Sequence, residues 1–137
     1  MNITWYSGIA AFADGTIRRL TKMEINKMNG NQYDYEVKSW PWFFEEMITG
    51  RKKHDMRDKR DRHYKTGDRM LLREFDPRTG EYTGRAAVAT ITYITDNVTP
   101  CAMSSAALDN DFAILSVDVA SPRLYANGLL TTPPPGY

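Results

Sequence analysis

Residues 50–75 read GRKKHDMRDKRDRHYKTGDRMLLREF and concentrate the charge of the chain. Between Arg51 and Lys65 there are eight Lys or Arg residues and three Asp residues, so this basic segment carries +5 while all 137 residues together carry +1. A compact basic face on an otherwise slightly acidic protein is typical of a site for phosphate groups or a polyanion. The alternative, from the charges alone, is a solvated loop.

The glycines of the same stretch predict where secondary structure begins and ends. Gly50 is expected to end a helix, and Gly67 to supply the backbone torsions of a tight turn over residues 65–68. Elsewhere the chain alternates apolar and polar side chains or is rich in β-branched residues, as strands are. The pattern predicts strands at 33–39, 53–57, 69–75, 82–95 and 112–119, a helix at 41–49 and a short helix at 104–108.

Two of these elements are expected to supply the core. The helix begins with Pro41, whose missing N–H costs nothing in the first turn. Strand 82–95 should be buried on both faces for part of its length, as in a closed barrel. The helix is expected to bury an apolar stripe formed by Trp42 or Phe43 with Met47, and by Phe44 with Ile48.

The order of residues inside the basic segment resembles a known signature. Gly50, Lys52, Asp55 and Arg57 form G-x-K-x-x-D-x-R, and KTGD follows at 65–68. This resembles the signature of ASCH domains, which belong to the PUA-like β-barrels, with Asp55 where that family has Glu. YEVKSWPWFFEEMITGRK at 35–52, and REFDPRTGEYTGR at 73–85 with ATITYITD, look like parts of a small ASCH-like branch found in bacteria and phages.

The resemblance covers residues 33–119 and implies a fold class of α+β, mostly β. The expected fold is a small β-barrel with one main helix. Residues 1–32 lie outside the resemblance, and their Asp14-Gly15 pair predicts an N-terminal β-hairpin extension, followed by a loop at 26–32. Residues 120–137 contain four of the seven prolines and are expected to form an extended tail.

We expect Lys52, Asp55 and Arg57 to converge at the mouth of the barrel, and the resemblance implies that the 65–68 loop and the strand after it lie beside that mouth. Arg57 offers a planar donor fork, Lys52 a point charge, and Asp55 an acceptor for the amino edge of a base. A regular strand would direct Lys52 and Asp55 to opposite faces, so a bend after Gly50 is required to bring them together. The alternative is an internal salt-bridge cluster. The full predicted ligand-binding set is Lys52, Lys53, Asp55, Arg57, Arg60, Arg62, Tyr64 and Lys65, with Tyr64 stacking on a base.

Three functions are compatible with these residues. The first is a module that binds RNA or a (modified) nucleotide. The second is a small hydrolase or ribonuclease with Lys52 and Asp55 as candidate catalytic residues, assisted by His54 or His63. Some ASCH-like proteins resemble amidohydrolases of acylated cytidine, in which the motif Lys activates a Thr three residues later, but that position is Asp55 here. The third is a phage-encoded protein that binds a host protein through the N-terminal hairpin or the C-terminal tail.

Other classes are set aside because their signatures are missing from the sequence. There is no Walker loop, Rossmann fingerprint, Cys-x-x-Cys pair or Gly-x-Ser-x-Gly. We expect no metal and no cofactor, and we expect the single Cys101 to be a small buried hydrophobe. With no apolar run of eighteen residues and no signal-peptide pattern, the chain is expected to be cytoplasmic and without a membrane partner.

Overall fold

The computed structural model describes residues 4–6, 9–11, 13–19, 33–102 and 104–131, and the chain divides into two units, 1–32 and 33–137. Between residues 33 and 119 the predicted helices and strands are confirmed to within about two residues at each end. The elements are β1 (Thr4–Tyr6), β2 (Ile9–Ala11), β3 (Ile17–Arg19), β4 (Tyr35–Ser39), α1 (Pro41–Ile48), β5 (His54–Asp58), β6 (Arg69–Asp76), β7 (Glu81–Thr95), a 3-10 helix (Ser104–Ala107), β8 (Phe112–Val119), β9 (Arg123–Ala126) and β10 (Leu129–Leu130).

The first unit contains an antiparallel sheet in the order β1–β2–β3. The turn between β2 and β3 is the one predicted at Asp14-Gly15, and Gly15 has φ +87° there. The Asp14 carboxylate accepts hydrogen bonds from the N–H (3.0 Å) and the hydroxyl (2.6 Å) of Thr16, which stabilise the turn. The structure adds β1, which pairs with β2, so the extension is a three-stranded sheet rather than one hairpin. The predicted loop at 26–32 lies outside the described residues.

The second unit is built around β7, a strand of 15 residues rich in Ala, Ile and Thr. Strand β6 pairs antiparallel along one edge of β7, and β8 and then β9 pair along its other edge. Strand β4 extends the sheet by pairing in parallel with β6, while β5 pairs with β8 and β10 with β9. The long central strand therefore joins all the other strands of this unit into one seven-stranded sheet.

This sheet curls into a half-barrel, whereas the sequence predicts a barrel closed by its own strands. Among the described strands β4 pairs only with β6 and β5 only with β8, so no backbone ladder joins β4 to β5. Two side chains cross instead: Arg57 Nη2 donates to the carbonyl of Lys38 (2.9 Å), and Arg62 Nη1 donates to the carbonyl of Glu36 (3.1 Å). We call this contact the β4–β5 seam.

The main core lies between α1 and one face of the sheet. Phe44 and Met47 are the buried helix residues, and at a spacing of three they project from the same side. Trp42 and Phe43 are exposed, so the prediction that they form the core stripe is wrong; an eight-residue helix has one side against the sheet and buries few residues. The buried cluster consists of Phe44, Met47, Met70, Leu72, Ala87, Ala89, Ile91, Ala113, Leu115 and Val117.

Strands β9 and β10 form a hairpin where the sequence predicts an extended tail from residue 120. Asn127 and Gly128 make the turn, with φ of +53° and +78°, as the Asn-Gly signal of a tight hairpin requires. Tyr125 and Leu130 then pack on a second, smaller cluster on the sheet face away from α1. The tail prediction is therefore wrong for residues 123–130, and residues 132–137 lie outside the described residues.

Candidate functional site

A cavity of about 520 Å³ opens beside the first turn of α1 and the edge strand β5. Its volume lies in the range of pockets that hold small ligands. We call it the α1–β5 cavity. It is lined by Lys38, Ser39, Trp40, Phe43, Lys52, Asp55, Met56 and Arg57.

The three polar residues of the predicted signature meet in this cavity because the chain bends after α1. Gly50 adopts φ +80°, and its N–H donates to the carbonyl of Met47 (3.1 Å), which ends the helix. The regular strand β5 begins only at His54, so Lys52 lies outside the strand alternation. The bend required to place Lys52 beside Asp55 and Arg57 is therefore present.

Asp55 and Arg57 form an ion pair that still has bonding capacity. Arg57 Nε donates to Asp55 Oδ2 at 2.7 Å. The Arg57 side chain is 22% exposed and the Asp55 side chain is 13% exposed. Within the described residues, Asp55 Oδ1 and Arg57 Nη1 take part in no hydrogen bond. No described side-chain N or O atom is both buried and without a partner, so these two atoms are open to solvent.

Lys52 adds a flexible cation to the same cavity. Its Nζ donates to the carbonyl of His54 at 2.6 Å. An ammonium group has three donors, so two remain for a ligand. Lys52, Asp55 and Arg57 therefore all line one cavity, and each retains hydrogen-bonding capacity.

The apolar wall of the cavity comes from residues that were not in the predicted site. Trp40 and Phe43 are both exposed, and their rings lie nearly parallel, 21° apart, with centroids at 6.2 Å. Trp42 packs edge-on against both rings but does not line the cavity. The sequence SWPWFFEEM held a signal for this wall, because four aromatics in five residues exceed what one helix face buries.

Of the six other cations of the basic segment, three are paired with a carboxylate of the described residues. Lys53 and Lys65 are exposed and have no ion pair within the described part of the chain. The other partners are Glu46 for Arg51 (2.6 Å), Asp96 for Lys59 (3.1 Å), Asp58 for Arg60, and the Glu36 carbonyl for Arg62. Of the predicted ligand-binding set, Lys53, Arg60, Arg62, Tyr64 and Lys65 do not line the α1–β5 cavity.

Tyr64 lies against the core rather than at the cavity. Its ring meets Tyr35 edge-on, with centroids 5.5 Å apart, and packs on the main cluster. Burial raises the pKa of the Tyr64 hydroxyl. Because Tyr64 does not line the α1–β5 cavity, its position does not support the predicted stacking role. The aromatic residues that line the cavity are Trp40 and Phe43.

The region that contains the cavity matches a known protein family. Residues 35–117, more than half of the chain, match the family described as Domain of unknown function (DUF3850). The chain belongs to the DUF3850 family. All eight residues that line the α1–β5 cavity lie inside the DUF3850 match.

A protein of Escherichia phage P2 is similar to this DUF3850 chain. It is described as "Uncharacterized 12.9 kDa protein in GpA 3'region" and is 39% identical over 62 residues. The alignment covers 45% of this chain and 54% of the phage protein, so the chain spans about half the length of that relative.

A second carboxylate cluster in the DUF3850 region lies beneath α1. Glu74 is buried, and its oxygens accept from the Thr83 hydroxyl (2.6 Å) and from Nε (3.0 Å) and Nη2 (2.8 Å) of Arg85. Arg85 Nη2 also donates to Glu45 of α1 (3.1 Å). Burial by itself would raise the pKa of Glu74, but the hydrogen bonds from Arg85 and Thr83 outweigh it and hold the pKa below its usual value.

Two further properties of the described residues bear on function. In 33–102 and 104–131, as in the described parts of the first unit, no group of three or more His, Cys, Asp or Glu is placed to hold a metal ion. No helix in those same ranges combines the length and apolar character needed to cross a bilayer.

Cys101 is exposed in the loop after β7, so its predicted burial is wrong.

Proposed function

We propose that this DUF3850 chain is an ASCH/PUA-like module that binds RNA or a nucleotide in the α1–β5 cavity. One observation carries the proposal: Asp55, Arg57 and Lys52, each with unused hydrogen-bonding capacity, line one cavity together with the exposed residues Trp40 and Phe43. The spacing of Gly50, Lys52, Asp55 and Arg57, which resembles the ASCH signature, supports the same function.

Each part of the cavity has a defined role in this proposal. An unstacked base lies against Trp40 or Phe43, because every base has a π-face and such stacking tolerates any sequence. Asp55 Oδ1 accepts a hydrogen bond from an exocyclic amino group of the base. Arg57 Nη1 and Lys52 Nζ donate to a base carbonyl or a phosphate oxygen.

The residue at position 55 favours binding over hydrolysis. Asp55 accepts a hydrogen bond from Arg57 Nε at 2.7 Å, so one of its oxygens is already engaged by a guanidinium. The position of the Thr nucleophile in the resembling amidohydrolases is occupied by Asp55. We therefore expect no hydrolysis of acylated cytidine, and Lys52-dependent turnover of that substrate would favour the enzyme instead.

The proposal is tested by direct binding with matched variants. Mononucleotides are titrated by calorimetry, and a fluorescein-labelled octanucleotide RNA of mixed sequence is titrated by anisotropy. Trp40→Ala is compared with Tyr93→Ala, and Lys52→Ala with Lys53→Ala. Tyr93 is an exposed aromatic residue of β7 and Lys53 lies next to Lys52, and both lie outside the cavity lining. Loss of one base stack is worth about 1 to 3 kcal/mol, so Trp40→Ala should weaken binding about fivefold or more.

The controls decide the outcome. The proposal requires Tyr93→Ala and Lys53→Ala to bind like the unaltered chain. It is overturned if the unaltered chain binds neither the mononucleotides nor the RNA, or if the controls lose as much affinity as the cavity variants. The salt dependence should also be shallow, corresponding to about two phosphate contacts rather than eight, since Lys52 and Arg57 alone of the basic segment's cations line the cavity.

A further inference from the structure

The sheet face away from α1 carries a second group of cations and aromatic rings. Because alternate residues of a strand point to opposite faces, Leu72 faces the main core and Arg73 the other side. Arg73 pairs across the sheet with Lys38 of β4. We call the group the Tyr82 face; its members are Lys38, Arg73, Phe75, Tyr82 and Tyr125.

Tyr82 is held in place although it is exposed. The Cζ atom of Arg73 lies 3.7 Å from the centroid of the Tyr82 ring and 4.3 Å from that of Tyr125. Phe75 meets the Tyr82 ring edge-on, with centroids 5.2 Å apart and planes at 70°. Tyr82 nevertheless stays 41% exposed, so it is an oriented ring with surface available to a ligand.

Arg73 is itself fixed by the sheet. Its Nη1 lies 3.7 Å from Oε2 of Glu36, and Glu36 Oε1 accepts from the hydroxyl of Tyr125 at 2.9 Å. The guanidinium therefore supports the Tyr82 ring from a position set by β4 and β9. An aromatic ring with little freedom loses little entropy when a ligand stacks on it.

Lys38 connects this face to the α1–β5 cavity. Its Nζ lies 4.3 Å from the centroid of Phe75 and 5.9 Å from that of Tyr82, and the residue also lines the cavity. Within the described residues, no carboxylate lies at ion-pair distance from Lys38 Nζ. Lys38 therefore belongs to both surfaces, and its ammonium group is not paired with a carboxylate of the described residues.

We propose that the Tyr82 face is a second base-stacking subsite, so that the ligand is a single-stranded nucleic acid whose chain passes Lys38 between the two subsites. One base occupies the α1–β5 cavity, a later base stacks on Tyr82, and Lys38 contacts the intervening phosphate. This inference rests on the function proposed for the cavity and extends it from one nucleotide to several.

The test compares ligand lengths. Mononucleotides and octanucleotides of RNA and of DNA are titrated against the unaltered chain, Tyr82→Ala and Tyr93→Ala. Tyr93 lies on the same strand β7 and is 55% exposed, but belongs to neither site, which makes it the matched control. Tyr82→Ala should weaken octanucleotide binding about tenfold and leave mononucleotide binding unchanged, while Tyr93→Ala changes neither.

Two additional variants separate stacking from packing. Tyr82→Phe retains the ring and should bind the octanucleotide like the unaltered chain, whereas Tyr82→Leu retains an apolar contact without the ring and should behave like Tyr82→Ala. Lys38→Gln should reduce the salt slope for the octanucleotide by about one phosphate contact. Comparable affinity for RNA and DNA would show that the contacts are to bases and phosphates. A preference for RNA would show an additional contact to the 2′-hydroxyl. Both results agree with the proposal.

Failure of this inference is distinguishable from failure of the proposed function. If the octanucleotide binds no more tightly than a mononucleotide, or if Tyr82→Leu binds it normally, the second subsite is excluded while Trp40-dependent nucleotide binding still stands. If the unaltered chain binds no nucleotide of any length, both proposals fall together.

Discussion

Two carboxylate–guanidinium pairs lie on different sides of α1 and have different surroundings. Glu74 is 4% exposed at its side chain, and Arg85 and Thr83 together occupy both of its oxygens. Asp55 uses one oxygen for Arg57 and keeps the other free beside the α1–β5 cavity. The chemical groups are the same, but the first pair is saturated and the second is not.

The difference shows how a structural pair is distinguished from a binding pair. A buried charge is tolerated only when its hydrogen bonds are filled, and Glu74 meets that condition within the fold. A pair with an unused acceptor and an unused donor at a cavity can accept a ligand without disturbing the core. We therefore expect substitutions of Glu74 to cost more stability than substitutions of Asp55, and only substitutions of Asp55 to change binding in the proposed cavity as well.

The largest effect should come from Glu74→Ala. Removal of the carboxylate leaves the Arg85 guanidinium partly buried and without its main partner. We expect a loss of about 3 kcal/mol in the free energy of unfolding. This is the low end of the range for buried ion pairs, because the Arg85 side chain is about a third exposed. Urea denaturation measures the free energy of unfolding. Glu81→Ala on the exposed start of β7 is the control, and an equal loss in that variant would contradict a special role for Glu74.

Low pH should remove the contribution of the Glu74 carboxylate to the free energy of unfolding. The pKa of Glu74 is lowered in the folded state, so its stabilisation is fully present above the unfolded value near 4.5 and is lost as pH falls through the folded pKa. The unaltered chain should therefore lose stability more steeply than Glu74→Gln below about pH 4.5. Urea denaturation of both at several pH values shows this as curves that converge in acid. Parallel curves would mean that Glu74 has the same pKa in both states.

An intermediate effect is expected at the cavity. Asp55 and Arg57 are neither fully buried nor fully exposed, so Asp55→Ala should cost about 2 kcal/mol, between the values for surface and buried pairs. The double variant Asp55→Ala/Arg57→Ala should cost less than the sum of the single variants, because neither charge is left alone. Thermal melts of the three variants test the coupling. Additive losses would show that the two residues stabilise the fold independently.

A smaller loss of stability should show which arginine of the basic segment supports the fold. Arg62→Ala removes the hydrogen bond to the Glu36 carbonyl and the contact of the guanidinium with the Tyr35 ring at 5.1 Å, and should cost about 1 kcal/mol. Arg60→Ala, which breaks exposed ion pairs with Asp58 and Asp111, should leave the melting temperature unchanged. Equal behaviour of the two variants would mean that Arg62 does not hold the β4–β5 seam.

Local pattern was sufficient to predict most elements of the second unit. Proline and glycine mark the ends of α1, and β-branched alternation marks β7, because these signals act within a few residues. The β9–β10 hairpin also has a local signal, Asn127-Gly128, which the proline content of the tail obscured.

The candidate site was predictable only in part. The signature residues Lys52, Asp55 and Arg57 do line one cavity, and their spacing indicated the bend that this requires. The Tyr82 face depends on contacts distant in sequence, such as Tyr125 with Glu36, 89 residues apart. Composition alone does not say which of four adjacent aromatics turns away from a core, or which arginines find a carboxylate.

The β4–β5 seam gives the cavity a property that a closed ladder would not have. Arg57 Nη2 donates to the Lys38 carbonyl across the seam, and Arg57 also lines the cavity. If an anion binds to Arg57 as proposed and draws the whole guanidinium toward itself, it competes with the carbonyl that joins the two strand edges. By thermodynamic reciprocity, a wider gap between β4 and β5 would then strengthen anion binding, and the anion would widen the gap in equal measure.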